Sequence, residues 1–385
     1  MMNFDPPNEI VQLQASLRRI LDDHYTLDKR SKIASRAPGW SHAVWAELGQ
    51  MGVIGLMAAP EHGGFGFAAA DLLPIFEELG RAMVLEPYLA TAVLGATALQ
   101  VAAGPALLSE LMPKAVAGKT ILSLAYAEPG GRYEWGARQV QAEYGGGEWH
   151  LLGTKINVLH GDAAENLLVT AVLPSSSSTT SERGLFLVRK EPATAVVRPY
   201  MLLDDSPAAE VTFQRARAEL LASGAAADRA VHAALNMATA VAVGEAVGVA
   251  RAAFGLTVDY VKVRQQFGRA IGTNQAVRHR IAEMAVALET LKSAAILALF
   301  AVSHHDPVSA GADISRAKML VGRHGVKLVQ DALQLHGGLG MSQEYGVGNY
   351  LRRMTVIDML FGDANHHTAT WNPAPHQFQT TGDSK

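Results

Sequence analysis

Tyr260-Val-Lys-Val-Arg264-Gln-Gln266-Phe267-Gly268 closes a long, alanine-rich apolar stretch that begins at Ala230. Uninterrupted helix formers over such a length predict one long helix ending at Arg264. A guanidinium at that end, followed by polar residues, Phe and Gly, can present a planar fork to a pyrophosphate. The same letters also describe an ordinary helix terminus, with Arg near the negative dipole end and Gly as the stop.

Outward from this stretch the chain changes character twice. Downstream, Arg278 to Phe300 and Ile314 to Leu335 read as two more helices. Upstream, between about 119 and 222, Thr120 to Tyr126, Gln139 to Tyr144, Trp149 to Leu159, Asn166 to Leu173 and Gly184 to Val188 are short β-prone runs. Gly145-Gly146-Gly147 supplies a hairpin turn between two of them. Before residue 118, apolar residues recur every three or four positions in Glu9 to Leu21, Asp71 to Met83 and Ala90 to Ala102. The predicted fold is α+β multidomain: an N-terminal helical domain (1–118), a middle β-barrel or sandwich domain (119–228), and a C-terminal four-helix-bundle domain (229–385).

Composition narrows the functions. The chain has 385 residues, 49% of them hydrophobic, which is enough for several domains sharing a large interior. A net charge of -3 without basic runs argues against nucleic-acid binding. The absence of cysteine excludes disulfides, thiolate nucleophiles and Cys-ligated metals. His366 and His367 are adjacent, point apart on a helix, and lack further clustered ligands, so no metal site is expected. The start from Met1 to Ile10 lacks the layout of a secretion signal, and no apolar run reaches the length of a membrane span. A cytoplasmic protein without membrane insertion is the expectation.

A second motif, Asp331-Ala-Leu-Gln334-Leu-His336-Gly337-Gly338-Leu-Gly340, lies between two helical stretches. Adjacent glycines let a backbone approach a ligand closely. A nicotinamide dinucleotide fingerprint would follow a strand instead, so that fold is disfavoured. Taken together, the Arg-x-Gln-Phe-Gly stretch, the Gln275 helix, the Gln-x-x-Gly-Gly-x-Gly stretch and the helix–sheet–helix order resemble the acyl-CoA dehydrogenase family over nearly the whole chain.

The resemblance implies non-covalent FAD, an acyl-CoA substrate, electron transfer to an electron-transfer flavoprotein, and a homo-oligomer or an assembly with a sister subunit. It implies that Arg264, Gln266, Phe267, Gln334, Gly337 and Gly338 hold the ADP half of FAD bound mainly to a neighbouring subunit. It also matches Leu124-Ala-Tyr126-Ala127-Glu128-Pro129 to the strand beside the flavin ring, and Leu159 to a second flavin-facing position.

The chain departs from the family pattern at that ring. Ala127 replaces a threonine, Gly131-Arg132-Tyr133 replaces a pyrophosphate-side Gly-Ser-Asp, and Asn157 and Leu159 replace an aromatic residue and a threonine. Each lost hydrogen bond is worth about 1 kcal/mol. The position of the usual catalytic Glu is Phe361, whose backbone N–H could still polarise a thioester carbonyl. The alternative base position, early in the long helix, is Ala238.

Two carboxylates remain as candidates for the base. Glu245 shares a helix face with Ala238 among apolar neighbours, and burial there suits a general base near neutral pH. Paired to an internal Arg it would instead be structural. Asp363 lies two residues beyond the vacant position and could equally cap a helix. The Phe-Gly-Asp-x-x-His-His ending resembles a bacterial branch acting on dicarboxylic, cyclic or steroid side-chain thioesters, often built from unlike subunits; the small subunit of pimeloyl-CoA dehydrogenase is similar there. On this resemblance the chain is expected to be a catalytic dehydrogenase with an unusual base, or alternatively a supporting subunit that holds a partner's FAD.

Overall fold

The computed structural model describes residues 6–136, 139–174, 182–342 and 345–371. Its first part is helical: α1 (Asn8–His24), α2 (Leu27–Ala34), α3 (His42–Gln50), α4 (Leu73–Ala82), α5 (Ala96–Ala102) and α6 (Pro105–Val116). A π-helical stretch, Tyr88–Gly95, leads directly into α5. The periodicity read from the sequence of α1 is the buried face: Ile10, Leu17 and Leu21 point into the core. Thr26 and Ser41 cap α2 and α3 by accepting from the backbone N–H groups of Lys29 and Val44.

The middle part contains β1 (Leu122–Ala125), β2 (Gln141–Gly145), β3 (Glu148–Leu159), β4 (Asn166–Val172), β5 (Arg183–Arg189), β6 (Ala195–Met201) and β7 (Pro207–Ser223). Pairing runs β4–β2–β3–β7–β5 and returns from β5 to β4, which closes a barrel. Closure removes most exposed strand edges. β1 lies on β4 and β6 on β7. The expected turn between β2 and β3 is formed by Gly146 and Gly147, with φ of 66° and 88°, values that favour glycine.

β6 and β7 were not expected. β7 is the longest strand, yet it carries Gln214, Arg215, Arg217 and Glu219 on exposed or half-exposed positions, which hides its apolar face from a count of hydrophobic runs. Most of the Ser/Thr tract from Pro174 to Glu182, expected to be a loop, lies outside the described residues, as do the last fourteen residues.

The third part is α7 (Gly224–Val263), a small hairpin of β8 (Gln265–Gln266) and β9 (Arg269–Ala270), α8 (Gln275–His304), α9 (Pro307–Leu320), α10 (Val326–His336), α11 (Val347–Met359) and α12 (Ala364–Trp371). α7, α8, α9 and α10 pack as the expected bundle, and α11 lies against α7 and α10. The single helix expected from Ile314 to Leu335 is divided by a π-helical turn at Val321–Gly325. The helical stretch that follows the Gly337-Gly338 motif is α11, which starts at Val347.

α7 is the spine of the molecule. Its contact with α4 depends on two glycines: a Cβ on Gly80 would lie 2.1 Å from the Glu245 carbonyl, and one on Gly248 would lie 1.9 Å from that of Glu77. Both α7 and α8 are long and apolar enough to cross a membrane, contrary to the expectation from runs of apolar residues. Most of that stretch of α7 is buried among its neighbouring helices.

Candidate functional site

The residues singled out in the sequence fall into two groups that the fold places in opposite environments. The first surrounds a cavity of about 40 Å³ between the N-terminal helices, the barrel and α7, lined among others by Glu86, Tyr88, Leu159, His160, Glu245, Arg353 and Leu360. Leu159 is the last residue of β3, and Leu360 precedes Phe361 in the loop after α11. Leu159 and the residue before Phe361 therefore line one cavity.

Glu245 accepts a hydrogen bond from the Arg353 guanidinium, whose other branch donates to Asp204 at 2.7 Å. All three groups are buried. Its neighbours along α7 are apolar, as the sequence shows, but α11 supplies a cation that sequence distance concealed. Although burial alone would raise its pKa, Arg353 and Ser206 hold Asp204 below the usual carboxylate range. Arg30 extends the network by donating to the Asp204 carbonyl and to Asp205.

Two further groups in this region were missed by sequence reasoning. Glu86 accepts from the Tyr25 hydroxyl and from the Ser41 N–H. Burial nevertheless pushes its pKa up to about 7. His160 is buried, and that burial, together with Arg353, brings its pKa down to about 3. Their partners lie on other elements, so only an apolar segment interrupted by one polar residue could have drawn attention to them.

The ring-side strand is equally occupied. Lys155 is buried and donates to Glu128 at 2.7 Å, to Thr170 at 2.9 Å and to the Tyr126 carbonyl at 3.2 Å. Burial lowers its pKa to about 8. Ala127 is buried, and its carbonyl accepts from Ile156 N–H. Asn157, at a φ of 53°, exchanges hydrogen bonds with the Tyr200 hydroxyl. Ala127 and Asn157, which depart from the family pattern, thus have partners inside this chain.

Asp363 sits at the start of α12 and accepts from the His366 N–H at 2.8 Å, which holds its pKa below the ordinary value. It also accepts from the Tyr133 hydroxyl at 3.1 Å. A carboxylate held low by a helix cap is a weaker proton acceptor. Behind it, Lys318 donates to the carbonyls of Asp358 and Gly362, both at 2.7 Å.

The second group faces outward. Arg264 caps α7, and its exposed guanidinium takes no part in a described hydrogen bond or ion pair. Phe267 is fully exposed, with a φ of 53°, and Gln266 beside it is exposed. Gln334, Gly337 and Gly338 are also exposed, and a Cβ built on either glycine meets nothing within 4 Å. Tyr260 joins the two motifs: its ring stacks on His336 at 4.5 Å between centroids, one residue before Gly337.

A bound FAD can be tested against these environments. The outward group fits an ADP moiety, since it offers an unpaired guanidinium, an exposed ring and two glycines that leave backbone uncovered. The ring-side group fits poorly. Ala127 and Leu159 carry no hydroxyl, and Tyr133, on the pyrophosphate-side segment, is tied to a carboxylate.

Comparison with known proteins matches residues 7–119 to the acyl-CoA dehydrogenase N-terminal domain and 227–371 to the C-terminal domain. A probable acyl-CoA dehydrogenase, YngJ of Bacillus subtilis, is 26% identical over 81% of this chain and 84% of its own length. Among solved structures, a variant of the Tcur3481-Tcur3483 steroid ACAD is 28% identical, with a TM-score of 0.83 over 94% of this chain and 96% of that one. The ChsE4-ChsE5 complex of Mycobacterium tuberculosis has the same TM-score at 23% identity, covering 95% and 97%. With both terminal domains matched on either side of a closed barrel, the chain belongs to the acyl-CoA dehydrogenase family.

Proposed function

We propose that this chain is a subunit of an FAD-dependent acyl-CoA dehydrogenase, and that its part is to hold the ADP end of a flavin seated mainly in a sister subunit. The observation that carries this is the exposed β8–β9 hairpin, where the Arg264 guanidinium has no described partner, Phe267 is fully exposed and the Gln266 side chain donates only to the carbonyl of its neighbour Gln265. Arg264 would bind phosphate oxygens, Phe267 would cover an aromatic ring, and Gly337 and Gly338 would let the backbone approach. When bound, FAD accepts the hydride that an acyl-CoA loses from Cβ, and electrons pass on to an electron-transfer flavoprotein.

The interior supports a supporting role over a catalytic one. Glu245 is tied to Arg353, and Asp363 caps a helix, so neither carboxylate is free to take an α-proton. The cavity beside Leu159 and Leu360, at about 40 Å³, is too small for an acyl chain. Two of the similar solved structures bear the names of two components. An assembly with an unlike sister subunit, in the cytoplasm, is the form this reading takes.

Purifying the chain alone and recording its spectrum anaerobically tests the proposal. The expected result is a colourless protein that gains flavin only when co-expressed with a sister subunit retaining the catalytic carboxylate. A yellow protein whose flavin is bleached by an acyl-CoA thioester would instead establish a self-sufficient dehydrogenase, and Glu245→Gln and Asp363→Asn would then decide the base.

A further inference from the structure

α8 buries one side and leaves an apolar stripe on the other. Met284, Leu288, Leu291, Ala295 and Ala298 are buried, on the side that packs against α7 and α9. The most apolar 18-residue stretch of α8 is more apolar than that of α7, yet 39% of it is buried in the chain against 67% in α7. Val286 is 69% exposed and Leu297 36%, and Ala282 and Ser293 are exposed as well. Helical geometry puts these four on one face. Two hydroxyls there are already satisfied: Thr290 donates to the Val286 carbonyl at 2.9 Å and Ser293 to that of Glu289 at 3.0 Å. Turned back onto their own helix, they leave aliphatic surface outward.

Charge decides what covers the stripe. Glu289 and Lys292 are exposed along one flank of it, and neither side chain has a hydrogen-bond or ion-pair partner among the described residues. Lys292 acts on Glu77 only from a distance, because Arg251 takes that carboxylate. Two charges in the middle of the stretch make a lipid environment costly. They suit a second copy of the same helix. In an antiparallel pair the same flank of each helix meets across the two-fold, so a Glu and a Lys on that flank complement themselves. Placing Val286 opposite Leu297 of the second copy also sets Thr290 opposite Ser293. Glu289 then lies about 3 Å along the axis from the level of the second copy's Lys292, within side-chain reach, and symmetry forms the pair twice.

We propose that the outer face of α8, from Ala282 to Leu297, is an interface at which two copies of this chain meet through antiparallel α8 helices, paired by Glu289 and Lys292. The contact uses none of the residues assigned to flavin, so it goes beyond that reading and joins two copies of this chain however flavin is held.

Sedimentation velocity of the purified chain over a range of concentrations tests this. The wild type is expected to contain at least two copies, and Val286→Asp to halve its mass. Glu289→Lys should raise the dissociation constant roughly tenfold, through the loss of two exposed pairs. Combining Glu289→Lys with Lys292→Glu in one chain should restore association, since the swapped charges complement each other again. All three altered chains should fold as the wild type does, because each changed side chain is exposed. A wild-type monomer at every concentration, a mass indifferent to Val286→Asp, or a double variant no better than Glu289→Lys would overturn the proposal. So would binding of the wild type, but not of Val286→Asp, to phosphatidylcholine vesicles, which would assign the face to a membrane. Arg264→Ala should leave the mass unchanged, which keeps a failure here apart from a failure of the flavin reading.

Discussion

The interior around Arg353 and the hairpin after α7 both concentrate polar side chains, but they treat them in opposite ways. Inside, the network pairs opposite charges: Arg353 with Asp204 and Glu245, Arg30 with Asp205, Lys155 with Glu128. On the hairpin, Arg264 and Phe267 have no such partners among the described residues. A buried charge must be compensated within the fold, or the fold fails. An exposed cation beside an exposed aromatic ring contributes little to the fold, and the proposed function assigns this pair to a ligand outside the chain. On that proposal, the contrast separates groups that build this subunit from groups that would serve another molecule.

The largest effect should come from breaking the interior side. Arg353→Leu leaves the carboxylates of Asp204 and Glu245 buried without their cation. Removing one partner of a buried pair costs roughly 3–5 kcal/mol. A large fall in the denaturant midpoint, or failure to accumulate as folded protein, is expected. A midpoint within experimental error of wild type would mean that the network is not what holds α11 against α7.

Glu86 sharpens the same side through pH. Its folded pKa of about 7 lies above the ordinary carboxylate value of 4.5, so between these values the folded state binds more protons than the unfolded chain. Its contribution is therefore fully present below about pH 4.5 and is lost as pH rises to about 7. At about 1.4 kcal/mol per unit this amounts to as much as about 3 kcal/mol. Urea unfolding across that window should show a decline that Glu86→Gln lacks. Parallel curves for the two proteins would place the titration elsewhere, since His160 and His367 contribute with the opposite sign as pH falls.

How much of this was legible beforehand follows from the range of each interaction. Helix–sheet–helix order and the β2–β3 turn are written in local periodicity and in glycines, and they appear in the structure where they were read. β7 was hidden because a long barrel strand alternates buried with charged positions and loses its apolar run. Arg264, Gln266 and Phe267 could be singled out together because they are close in the chain, and the structure places all three at the surface. The interior network was not, since Glu245 meets Arg353 across 108 residues and Tyr25 meets Glu86 across 61. Glu245 therefore looked like an isolated carboxylate in an apolar helix. No local pattern distinguishes that from an ion pair whose other half lies on a distant helix.

On the outward side, Arg264→Ala should leave the fold intact and weaken flavin retention by the assembled enzyme. A hydrogen bond to a charged group is worth about 1.5–3 kcal/mol. Flavin affinity of the two-subunit complex should thus fall by roughly ten- to a hundredfold, measured as flavin released on dilution, with the melting temperature unchanged. Full flavin occupancy in the variant complex would show that the guanidinium does not touch the cofactor and would remove the basis for assigning this hairpin to the sister's site.

The smallest expected effect is the most discriminating. Phe267 is fully exposed and sits at a positive φ that bulky side chains rarely adopt. In the chain alone it buries nothing, so Phe267→Asn, which tolerates that backbone more readily, should change stability by no more than about 0.5 kcal/mol in either direction. The same change should nonetheless reduce flavin retention once the sister subunit is present, because the ring is then covered. If Phe267→Asn instead destabilised the isolated chain by several times that amount, the ring would already have a role in this subunit's own structure, and the division between a self-supporting interior and an outward-serving hairpin would not hold.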